Sequence, residues 1–264
     1  MTILDRSIEF AEQPGMLGGM RCRTRTTALT LAVALLVAGG AAGSAGAAAG
    51  PQAHRIAPPV APPAGGGPHS FMMTEPGSSK PVTYSPCQRI RYAVNAARQP
   101  AGASGIVASA VKAVEKYSGL RFRYVGTTKR KPSSSGEASV TPAPGKTYAP
   151  VLIAWTTPKQ VPALRGSVAG EGGSTAVSSG TSSYLHYVTG QVSLDAADIA
   201  KMLQRSNGRA LARAIVMHEL GHVVGLDHVQ NRRQIMYPVN TGQTTWGKGD
   251  RTGLALIGRG RCVA

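Results

Sequence analysis

Three histidines and a glutamate with the makings of a reactive centre, His218, Glu219, His222 and His228, fall within the eleven residues HELGHVVGLDH. On a helix, residues four apart lie one turn above each other, so His218 and His222 share a face. Two imidazoles so placed can bind one metal ion. A third helical ligand would fall at 225 or 226, but position 225 is glycine. Glycine readily takes positive φ, so the helix can stop there and the chain turn back. His228 is then free of helical spacing and can return to the same metal. Three neutral imidazoles leave one tetrahedral position open for water, the arrangement of a catalytic zinc site; a structural site fills all four, and no cysteine lies nearby. Glu219 can aim its carboxylate at that water, take its proton and pass it to a leaving group.

The elements that must hold these residues follow from the pattern. The long apolar stretch before Gly225 predicts a helix from about Asn207 to Val224, preceded by a short helix around 196–204 that Asp195 can cap. Alternation predicts strands at 90–95, 120–125 and 187–194. ValLeuIleAlaTrp (151–155) predicts a buried strand. Ser104 is placed to cap a helix reaching Ser118, with Ile106, Val107, Ala110, Val111 and Val114 on one stripe and Gly119 at its end. Asp250 could cap a last helix carrying Leu254 and Ile257. Strands alternating with helices argue for an α/β layer fold.

The 264 residues allow one domain or two small ones. Residues 1–19 read as an extension from an early start. Residues 20–47 read as a secretory signal, basic at Arg21, Arg23 and Arg25, apolar over 28–38, and ending in Ala45-Gly46-Ala47; an uncleaved anchor is the alternative. The Pro/Gly/Ala-rich stretch 48–80 reads as a linker or short pro-segment, so the folded domain is expected over 81–264. After export, Cys87 and Cys262 remain as a candidate disulfide, two free thiols being the alternative. The formal charge is +17, of which residues 1–47 hold a surplus of one. That charge favours anionic surfaces such as cell-wall polymers. Its scatter, with only three Phe and no aromatic interleaving, argues against a nucleic-acid site.

HELGHVVGLDH resembles the zinc-binding signature of the metzincin metalloproteases. IleMetTyrPro (235–238) resembles the Met-turn of that family, and its wording is most similar to the matrixin branch. The resemblance implies a secreted zinc endopeptidase acting on protein or peptide substrates as a monomer without a stable membrane span. It implies a twisted, mostly parallel sheet with two long helices, a cleft, and a small C-terminal subdomain with a final helix. Met236 would floor the zinc, and Tyr237, Pro238 and Val239 would line the pocket for the side chain after the cut. An edge strand at about 166–170, including Val168 and Ala169, would pair with the substrate. Calcium, which animal relatives bind, is not supported, because Asp195 and Asp198 are too few. Asp227 lies one residue short of the third ligand position. A non-catalytic, zinc-stabilised cell-surface binding protein is the alternative function.

Overall fold

The computed structural model describes residues 54–133, 148–178 and 184–263. The expected signal and extension (1–47) lie outside the described residues. The sheet is built around β5 (Val151–Thr156), buried along its whole length. A strand buried on both faces reads as a continuous apolar run, which is why VLIAW shows no alternation. On one side β5 pairs in parallel with β3 (Ile90–Asn95), which pairs in parallel with β4 (Phe122–Thr127). On the other side it pairs in parallel with β7 (Leu185–Asp195), whose start also takes the short β2 (Thr83–Tyr84). One strand runs against the rest. β6 (Gly170–Ser178) is antiparallel to β7 and forms the edge. The mostly parallel sheet matches the α/β expectation.

Helices α1 (Ile106–Ser118) and α3 (Gly208–Val224) pack against each other. α1 buries the stripe expected from its spacing. Its start differs from expectation: Gly105, not Ser104, is the N-cap, with φ of 74° and no side-chain cap. Turns from Pro100 to Ile106 close by backbone bonds, and the Ser104 carbonyl accepts from Arg209 at 2.6 Å. α2 (Ala196–Leu203) is capped as expected, the Asp195 side chain accepting from the N–H groups of Ala197 and Asp198. From Val216 onward every residue of α3 is buried, polar ones included, as befits a helix enclosed on all sides. α4 (Lys248–Ile257) closes the chain, with Leu254 and Ile257 fully buried. No helix among the described residues is long and apolar enough to cross a membrane.

The boundary expected at Pro81 does not hold for the described part of the preceding segment. Residues 54–80 are a strap laid across the body. Arg55 donates to the carbonyls of Gly258 and Gly260, and the Ile56 N–H donates to Pro86 O at 3.1 Å. β1 (Ser70–Phe71) pairs antiparallel with β8 (Leu226–Asp227). Composition masked this because many of the contacts are made by backbone, with only scattered side chains such as Arg55, Phe71 and Met73 adding to them. A Cβ on Gly67 would lie 2.6 Å from the Gly249 nitrogen, so the glycine is there for close approach and not for flexibility. Cys87 and Cys262 form the disulfide, with Cα atoms 5.3 Å apart.

Candidate metal centre

His218 and His222 sit one turn apart on α3, which ends at Gly225 with φ of 114°. The Gly225 N–H caps the carbonyls of Gly221 and His222. The chain reverses through β8 and returns His228 to the other two histidines. Their three Nε2 atoms form a triangle with sides of 3.1 Å. A tetrahedral zinc with nitrogens near its usual bond length needs them about 3.3 Å apart. Two of the imidazoles are oriented from behind. His218 Nδ1 donates to Ile235 O at 2.7 Å, and His222 Nδ1 donates to Leu226 O at 2.9 Å. Those bonds place the proton on Nδ1 and leave the Nε2 lone pair facing the centre. Burial holds all three imidazoles neutral: it pushes His218 well below its ordinary pKa, His222 down to about 3, and His228 down as well. The donor set therefore fits one zinc ion. Among the described residues it is the one cluster of metal-ligating type. Asp227 is outside it and accepts the His228 backbone N–H at 2.7 Å.

Glu219 is 3% exposed. Burial, and then the charge of Glu171 on β6, raise its carboxyl to about 8. It lies directly beneath the edge strand, in contact range of Gly170.

Met236, expected as the floor of the site, is 1% exposed. Its carbonyl accepts from the Val229 N–H at 3.0 Å, closing the loop that carries His228. A Cβ on Gly221 would lie 2.6 Å from the Met236 sulfur, so this loop packs against bare helix backbone. Beneath it stands Asp250, which caps α4 as expected, though from the first turn: Gly247 is the N-cap, and the Asp250 carboxylate accepts its N–H in a capping box. Its buried carboxylate accepts from the backbone N–H groups of Ile235 (2.7 Å), Gly247 (2.8 Å) and Met236 (3.3 Å). The Ile235 peptide thus receives the His218 proton on one side and is gripped by Asp250 on the other. Asp250 is in turn fixed by Gln234, whose Oε1 accepts the Asp250 N–H at 2.9 Å. An aspartate in the first turn of a helix looks like a cap in sequence, and nothing local marked Asp250 or Gln234 as supports of a ligand.

The remaining expected residues fall around the centre with less definition. Tyr237, Pro238 and Val239 follow Met236 and are half-buried, with the Arg232 guanidinium 5.8 Å from the Tyr237 ring centroid. The edge strand is shifted from its expected place. Val168 and Ala169 precede it, and only Gly170 of the stretch 166–170 belongs to it. A nine-residue strand of Gly, Glu, Ser, Thr, Ala and Val carries too few large apolar side chains to show a period of two.

Residues 167–254 match the family model of the matrixins. The matched stretch contains β6, the three histidines, Glu219, the Met236 loop and Asp250. Among solved structures the chain is similar to archaemetzincin from Methanopyrus kandleri, at 16% identity and a TM-score of 0.41, over 63% of this chain and 93% of that one. No curated protein matches.

Proposed function

We infer that this metzincin-like zinc metallopeptidase is an exported endopeptidase in which Glu219 is the general base and β6 holds the substrate. The observation that carries this is the pairing of two features: three neutral imidazoles turned inward on one point, and a buried carboxyl next to them under an open strand edge. When bound, zinc supplies a Lewis acid for the peptide carbonyl and lowers the pKa of a water molecule. Glu219 takes the proton of the attacking water and returns it to the nitrogen of the departing amine. Burial raises this carboxyl to about 8 in the metal-free protein, and a cation bound beside it would favour the ionised form that takes the proton.

The substrate runs extended along the free edge of β6. The Asp195 N–H donates to Ala169 O at 3.0 Å, which sets the alternation of the ladder. Backbone groups of Glu171 and Gly173 then face β7, and those of Gly170, Gly172 and Ser174 face outward. These outward groups offer main-chain hydrogen bonds to a peptide, the β-augmentation mode. Tyr237, Pro238 and Val239 line the pocket for the side chain after the cut. The apolar run at 28–38 and the disulfide favour export. The basic surplus favours retention on anionic wall or surface polymers.

The test expresses the full chain for export, sequences the N-terminus of the released protein and measures bound zinc. It then assays cleavage of a mixed peptide library with and without chelator. One zinc per chain and chelator-sensitive cuts are expected. Glu219→Ala should keep the zinc and lose activity by about 10²–10⁴-fold. Undiminished cleavage by Glu219→Ala would overturn the mechanism. Zinc without any cleavage, together with retention on anionic polymer, would favour a binding protein.

A further inference from the structure

We propose that Gly170 and Gly172 are positioning residues for Glu219: their bare backbone seats the edge strand on α3 and fixes the reactive carboxylate in one rotamer. This rests on the reading of Glu219 as the base. Three consecutive positions on the inner face of β6 meet one face of α3. A Cβ at 170 would lie 2.8 Å from both Cγ and Oε1 of Glu219. A Cβ at 172 would lie 2.5 Å from the Glu219 backbone oxygen. Ser174, next on the same face, donates to Val223 O at 2.8 Å and contacts Tyr84 OH at 2.8 Å. Glu219 and Val223 are four apart, so the strand follows one row of the helix.

The intervening Gly173 serves as an internal comparison, because a Cβ there meets nothing within 4 Å. Glycine is therefore required at 170 and 172 by contact with α3, which the strand alone does not explain. No hydrogen bond restrains the Glu219 carboxylate among the described residues, so packing under Gly170 is what sets its direction. Reacting groups must be held to within about 0.5 Å to keep full rate, and a displacement of about 1 Å can cost about 10²-fold. A methyl group at 170 forces either the carboxylate or the strand to shift.

The test is a double-mutant cycle read by thermal unfolding, joined to steady-state kinetics. Gly170→Ala should lower kcat by roughly 10²-fold with little change in KM and no change in bound zinc. It should also lower Tm. In the Glu219→Ala background, where the clashing atoms are gone, the same substitution should cost little or no Tm. Gly172→Ala meets backbone and should cost the same Tm in both backgrounds. If Gly170→Ala alone does not fold, the Gly170→Ala/Glu219→Ala protein still should. Equal Tm loss from Gly170→Ala in both backgrounds, or unaltered kcat, would overturn the proposal. An active wild type whose cleavage does not depend on Glu219 would instead overturn the reading of the base. The Tm cycle would still report on the packing.

Discussion

At the scale of single residues, the centre depends on imidazoles that are buried without charge. In the metal-free protein His218, His222 and His228 all have pKa values below the ordinary 6.5. The unfolded chain binds protons near 6.5 and the folded chain does not, so their contribution is present above that pH. It is lost as pH falls from 6.5 toward the folded value, about 3 for His222. The Tm of chelated protein should therefore drop as the buffer is taken from about pH 7 to about pH 4. His222→Asn keeps a donor for Leu226 O and removes the titrating ring. It should show a shallower drop, and parallel curves for the two proteins would exclude His222 as a cause. The ligands were legible in the sequence because their spacing is itself geometric: four residues make a turn of helix, and a glycine permits the reversal. As a support of the ligands Asp250 was not, because the partners that matter there, the Ile235 and Met236 N–H groups, are backbone groups more than a dozen residues away. Nothing in its neighbours' identities records such a contact.

At the scale of elements, the same contrast separates α3 and β5 from β6 and the strap. α3 and β5 bury large apolar side chains, and their periodicity or continuity shows it. β6 and residues 54–80 are held largely by backbone and by a few scattered side chains such as Arg55, Phe71, Met73 and Ser174, where Gly, Pro and Ser let chains approach closely and leave no apolar pattern. The strap has a measurable role. β1 pairs with β8, the stretch between ligands His222 and His228, and the Met72 N–H donates to the carbonyl of Gly225 at 2.9 Å. Removing residues up to Pro81 would strip these bonds and those of Arg55 and Ile56. At roughly 1 kcal/mol for each net hydrogen bond, several kcal/mol of stability should go. A chain beginning at Pro81 should unfold at lower temperature and release zinc faster to a chelator than one beginning at Ala53. Matching stability and zinc retention would show that the strap is dispensable. Higher activity in the shorter chain would instead identify 54–80 as an inhibitory pro-segment.

At the scale of the whole molecule, the two ends of the described fold are tied together. Cys87 lies between β2 and β3 at the start of the sheet, and Cys262 follows α4, at a sequence separation of 175. α4 carries Asp250, which grips the Ile235 and Met236 peptides beneath the zinc ligands. The bridge therefore anchors the element on which the Met236 loop rests. Other long-range ties at this end include Arg55 to the Gly258 and Gly260 carbonyls, Ser85 Oγ and Gln88 Nε2 to Val263 O at 3.1 Å each, and the Arg261 N–H to Tyr184 OH at 3.2 Å. The chain carries a formal +17, and the ion pair of exposed Lys201 with Asp198 is of the surface kind that contributes little. Closing so long a loop restricts the unfolded chain by about 5 kcal/mol on the loop-entropy model, an upper figure for what reduction should remove. The Cys87→Ser/Cys262→Ser protein should thus show a clearly lower urea midpoint. Because α4 is released first at its end, it should also lose zinc to a chelator faster while still folded. A lowered midpoint with unchanged zinc release would mean that the bridge acts only on the unfolded chain. In that case Asp250 and the strap hold α4 against the site without it.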